Sequence, residues 1–81
     1  MSVKCKKCNN NVRYYVHNDE LTCYKTNNDG SIDRDHVFFV QYANFAFQEY
    51  GQCENCGQIY DTIDEKININ KPLDDFPRRE W

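Results

Sequence analysis

This 81-residue sequence predicts a small, mostly β fold of antiparallel hairpins, and three observations support that. Apolar residues come in short runs rich in β-branched and aromatic side chains. Turn-forming residues punctuate those runs. Two Cys-x-x-Cys pairs, Cys5 with Cys8 and Cys53 with Cys56, lie far apart in the chain. A chain of this length forms one domain and buries only about 60–65% of the surface its unfolded form exposes, so it needs a cross-link to be stable.

Taken in order, the first element is the knuckle Cys5-Lys6-Lys7-Cys8-Asn9, in which Asn9 occupies a turn position that tolerates positive φ. Val12 to Val16 and Leu21 to Tyr24 suit strands, and His17-Asn18-Asp19-Glu20 between them suits the turn of a hairpin. Asn27-Asn28-Asp29-Gly30 is the strongest turn signal in the chain. Val37 to Tyr50 has two readings. Phe39, Tyr42, Ala43, Ala46, Phe47 and Tyr50 form a stripe at helical spacing, with Asp35 as N-cap and Gly51 as stop. The cluster Val37-Phe38-Phe39-Val40 and the alternation of Phe45 and Phe47 favour two strands, Val37 to Tyr42 and Phe45 to Gln52, over a single helix in 37–50. Ile59 to Ile63 reads as a further strand, and Ile67 and Ile69 continue its alternation. The expected organisation is a domain over residues 1–70 and a tail over 71–81, where Pro72 and Pro77 remove ladder hydrogen bonds.

Two thiolates separated by two residues can face one metal ion, and four satisfy the tetrahedral preference of zinc without leaving a position for water. Disulfides are the rival use of these cysteines. Five cysteines leave one unpaired, and no apolar signal segment follows Met1-Ser2-Val3-Lys4, which points to a cytoplasmic protein with reduced thiols. The expectation is one structural Zn2+ held by Cys5, Cys8, Cys53 and Cys56, the last followed by the turn residue Gly57. On these residues and the strand-like runs around them the chain resembles the zinc-ribbon superfamily, in which two knuckles at hairpin tips clamp one zinc. The spacer between the knuckles, residues 9 to 52, is longer than the usual pattern.

The fifth cysteine, Cys23, reads first as a buried, inert thiol. The alternatives are a nucleophile served by His17 or His36, or a substitute ligand. Lys25 to His36 partly fits a calcium loop, but Lys25 and His36 stand where acidic ligands are required. The aromatic group Phe38, Phe39, Tyr42, Phe45, Phe47 and Tyr50 is expected to build the core. Leu73, Phe76 and Trp81 in the tail either fold back over the sheet or anchor a partner.

The net charge of -3 is unevenly spread. Lys4, Lys6, Lys7 and Arg13 form a basic block, and Glu54, Asp61, Asp64 and Glu65 an acidic one. The two blocks are expected to compensate each other once the knuckles meet. No run of 18 apolar residues is present, so no membrane span is expected. No nucleophile, base and oxyanion-donor set can be read from spacing, which points to a non-enzyme. The function expected is that of a protein-binding module, a small acidic inhibitor, immunity-type or regulatory protein docking on a basic partner through acids such as Asp29, Asp33 and Asp35. The alternative is a nucleic-acid-associated zinc ribbon using the basic block.

Overall fold

The computed structural model describes residues 2–42 and 48–75. Six strands form one antiparallel sheet: β1 (Val12–Asn18), β2 (Glu20–Thr26), β3 (Ile32–Tyr42), β4 (Gln48–Cys53), β5 (Ile59–Ile63) and β6 (Lys66–Leu73). Among the described residues there is no helix, so none is long and apolar enough to cross a membrane. The strand order is β3-β2-β1-β4-β5-β6. Two three-stranded meanders are thus joined along the β1–β4 pair, which runs from Val12 opposite Cys53 to His17 opposite Gln48. The long spacer between the knuckles builds the whole first meander.

Each turn follows from its residues. Asp19 takes a φ of 58° between β1 and β2. Gly30, with a φ of 92°, donates its N–H to Asn27 O at 3.0 Å, and the Asp29 carboxylate accepts from the Ser31 N–H and hydroxyl. Asp64 and Glu65 take positive φ between β5 and β6. The segment Val37 to Tyr42 is strand, as its branched and aromatic residues favour, and it begins earlier, at Ile32. The expected second strand of this region is seen from Gln48; Phe45 and Phe47 lie outside the described residues.

The sheet curls until its two edges meet at one end. Ser31 bridges Lys66, and the Ile67 N–H donates to Gly30 O at 2.8 Å. Arg34 pairs with Glu65 at 3.1 Å and Lys66 with Asp29 at 3.8 Å along the same seam. Inside the curl, Val3, Val12, Tyr14, Tyr60 and Ile67 pack with Cys5 and Cys53. Ile67 crosses the interior and lies over Gly51 so closely that a Cβ built there would stand 2.3 Å from Ile67 Cδ1. Thr26 is the buried polar link: its hydroxyl donates to Val12 O at 2.7 Å and accepts from the Val3 N–H at 3.3 Å.

Two expectations need correction. Tyr14 and Tyr60 are core aromatics beside Tyr50, whereas Phe38 and Tyr42 of the expected group are exposed and Phe39 is half-buried. The reason is topological: β3 is an edge strand, and its second half has a sheet neighbour on one side only among the described residues. The chain also remains strand through Lys71, Pro72 and Leu73, residues the sequence assigns to the tail. Proline is tolerated there because β6 is the other edge strand, and a register shift interrupts the ladder between Tyr60 and Asp61. Phe76 and Trp81 lie outside the described residues.

The contact of Ile67 with Gly51 predicts that Gly51→Ala destabilises the metal-loaded protein by about 1–3 kcal/mol through overpacking. Adding Ile67→Val removes the closest methyl and should recover part of that loss, a non-additivity measurable by urea unfolding of both single variants and the double variant.

Candidate metal centre

Both knuckles are built alike because both close a hairpin with the same hydrogen bonds. Cys5 N–H donates to Asn10 O at 2.8 Å, and Cys53 N–H to Gln58 O at 2.9 Å. Asn9 N–H returns to Cys5 O, as Gly57 N–H does to Cys53 O. Those returning residues carry the φ values of 62° and 77° that the turn demands. In each knuckle the backbone N–H two residues after the first cysteine points at its sulfur, from Lys7 to Cys5 and from Asn55 to Cys53, both at 3.4 Å.

The β1–β4 register then sets the two hairpin tips side by side, with Val12 opposite Cys53 and the Glu54 N–H donating to Asn11 O at 3.1 Å. As a result Cys5, Cys8, Cys53 and Cys56 bring their Sγ atoms within 4.8 Å of one another. The pairs across the knuckles are Cys5 with Cys56 at 3.7 Å and Cys8 with Cys53 at 3.3 Å. Disulfide sulfurs would stand about 2.05 Å apart. Tetrahedral metal–sulfur bonds of about 2.3 Å place sulfurs about 3.8 Å from each other, so the four residues are positioned to bind a single metal ion.

The surroundings differ among the sulfurs. Asn10 lowers the Cys8 thiol to about 5 through its side-chain and backbone N–H groups. Burial opposes ionisation of Cys5, but the Tyr60 hydroxyl and the N–H groups of Cys8 and Lys7 outweigh it and lower its pKa. Burial pushes Cys53 up to about 11, a bias that a cation among four sulfurs reverses. Tyr60 is held at about 12, by burial first and by the Cys5 sulfur second, and its phenol stays protonated.

Cys23 is fully buried and lies outside this cluster, on the opposite face of the sheet between Tyr15 and Phe39 in register. Burial raises its pKa, which makes it a poor nucleophile. Neither histidine joins the cluster: His17 Nε2 lies 3.0 Å from the Tyr50 hydroxyl, and His36 Nδ1 lies 2.8 Å from Asp33. The residues that sequence reasoning missed are Thr26 and Tyr60. Their only signal was a hydroxyl-bearing residue at an inward position of a strand.

The expected compensation between the basic and acidic blocks is realised at one pair, Arg13 with Glu54 at 3.1 Å. Arg13 also lies over the Phe38 ring at 4.0 Å. Asp61 instead pairs with Lys71 and Glu65 with Arg34, because the blocks are close in sequence to the metal site but their strands run away from it. Lys4 and Lys6 donate to the amide oxygens of Asn11 and Asn70, and no carboxylate among the described residues lies within 4 Å of Lys4, Lys6 or Lys7.

In comparisons with known proteins, no family model, curated protein or solved structure matches the chain.

One metal ion per chain is expected by elemental analysis of the reduced, reloaded protein. Cys8→Ser should lower that stoichiometry sharply, and Cys23→Ser should leave it unchanged. Removing the metal with a strong chelator should also abolish most of the β circular-dichroism signal, because metal affinity, on the order of 10 kcal/mol for such sites, is folding free energy.

Proposed function

We propose that this protein is a non-enzymatic binding module of the zinc-ribbon kind, stabilised by one structural zinc ion, and that its partner is a protein. Four thiolates fill a tetrahedral shell and leave no coordination position for water or substrate, so the metal fixes architecture and activates nothing. An all-sulfur tetrahedral set suits zinc or an iron centre. Elemental analysis decides between them, and the proposal expects zinc.

The observation that carries the partner class is the edge strand β3. Val37 is 45% exposed, Phe38 47%, Val40 53% and Tyr42 90%, all along one sheet edge. Apolar edge strands are the surfaces to which partner proteins add a strand or a hydrophobic face. Exposed acids border the same edge, with Asp35 on β3 and Glu20 opposite Tyr42 on β2. They suit a regulator or inhibitor that docks on a basic protein surface. The test is a pair of substitutions, Phe38→Asp and Val40→Asp, in affinity capture followed by nuclease treatment. Partners should survive the nuclease with the parent chain and be lost with the double variant, while zinc content stays the same. Partners retained by the double variant would reject β3 as the docking edge.

A second reading, nucleic-acid binding, draws on the lysines of the first knuckle, which face amides and not carboxylates. The two readings separate in a low-salt titration of short single- and double-stranded oligonucleotides. A protein-binding module should bind no tighter than the roughly 10⁻⁴–10⁻⁶ M of non-specific association. If phosphate contact is the function, Lys6→Gln with Lys7→Gln should abolish tight binding and lower its salt slope by about two.

A further inference from the structure

Tyr60 belongs to β5, four positions after Cys56, yet its hydroxyl reaches the other hairpin. It lies 3.2 Å from Cys5 Sγ and accepts the Lys6 backbone N–H at 3.1 Å. A metal-bound thiolate carries no proton, so in the loaded site the phenol is the donor and the sulfur the acceptor. The ring is buried in the core, and its backbone is paired with Gly51 on one side and Pro72 on the other. The folded sheet therefore fixes the hydroxyl in space beside the sulfur. Its position differs from that of the donors to the other sulfurs, which come from the same knuckle: the Asn55 N–H to Cys53 and the Asn10 side chain to Cys8.

We propose that Tyr60 is the positioning residue of the metal centre: it holds the first knuckle in register with the second and orients the Cys5 thiolate toward the ion. This rests on the metal reading above and assigns the residue that tunes it. A donor to a metal-bound sulfur disperses its negative charge and fixes its direction, and outer partners of this sort usually govern metal affinity. Loss of the hydroxyl leaves Cys5 with only the backbone N–H groups of its own knuckle, those of Lys7 and Cys8, and leaves the Lys6 N–H without its acceptor.

The experiment compares Tyr60→Phe with Tyr14→Phe, each of which keeps a buried ring in the same core while removing one hydroxyl. The Tyr14 hydroxyl serves Glu49, away from the sulfurs, at 3.3 Å. Competition with a chromophoric chelator should show metal affinity falling roughly 10–100-fold in Tyr60→Phe and little in Tyr14→Phe. In the cobalt-substituted protein the thiolate-to-metal charge-transfer bands should move to lower energy only in Tyr60→Phe, because the sulfur lone pairs lose their donor. Unshifted bands, or equal losses of affinity in both variants, would overturn the proposal in favour of simple packing. If Tyr60→Phe fails to fold, the parent protein loaded with an NMR-active cadmium isotope gives the answer. A slowly exchanging Tyr60 hydroxyl proton with scalar coupling to the metal supports the assignment, and its absence refutes it. A parent chain that takes up no cobalt would overturn the metal centre itself, and this proposal with it.

Discussion

Four sulfur atoms converging on one point are the constraint on which the rest of this fold depends. Cys5 and Cys8 lie at one end of the sequence and Cys53 and Cys56 far along it, and their Sγ atoms meet only because β1 runs antiparallel to β4 with Val12 opposite Cys53. Three further contacts hold that register beside the sulfurs: the Glu54 N–H on Asn11 O, the Arg13–Glu54 pair, and the Tyr60 hydroxyl on the Lys6 N–H. A core this small gains little from apolar burial, so a metal ion held by the four sulfurs would reinforce the β1–β4 ladder and be reinforced by it.

The opposite end of the sheet is held by other means. There the edges close through the Ser31–Lys66 bridge, the Ile67 N–H on Gly30 O, and two ion pairs along the seam. Ile67 acts twice, once through its backbone at Gly30 and once through its side chain over Gly51. The exposed ion pairs there contribute little each, so the seam owes most to Ile67 burial and to the turn that Gly30 permits. Thr26 completes the interior by bonding directly to Val12 O and the Val3 N–H.

Pairing of Glu65, Asp29 and Asp61 with Arg34, Lys66 and Lys71 redistributes the exposed charge. Asp19, Glu20 and Asp35 near β2 and β3 stand outside those ion pairs, next to the apolar edge, and the lysines of the first knuckle stay without carboxylate partners among the described residues. The molecule thus carries an apolar, acid-bordered edge and a basic knuckle on separate parts of one small sheet.

Much of this was legible in the sequence, because the signals are local. Cys-x-x-Cys spacing fixes a knuckle, Asn9 and Gly57 fix its turn, Asp29-Gly30 fixes the hairpin turn, and runs such as Val12 to Val16 fix strands. Local pattern also favoured strand for Val37 to Tyr42, where branched and aromatic residues predominate, over the helical stripe that was its rival, and the structure has strand there. Tertiary structure alone decided which strands became edges. That choice moved Phe38 and Tyr42 from the expected core to the surface and allowed Pro72 inside a strand. It also paired Asp61 and Glu65 away from the basic knuckle and brought the Tyr60 hydroxyl to Cys5. The physical reason is that burial and long-range pairing depend on strand order, and strand order is set by the sum of all pairings, which no single stretch of sequence carries.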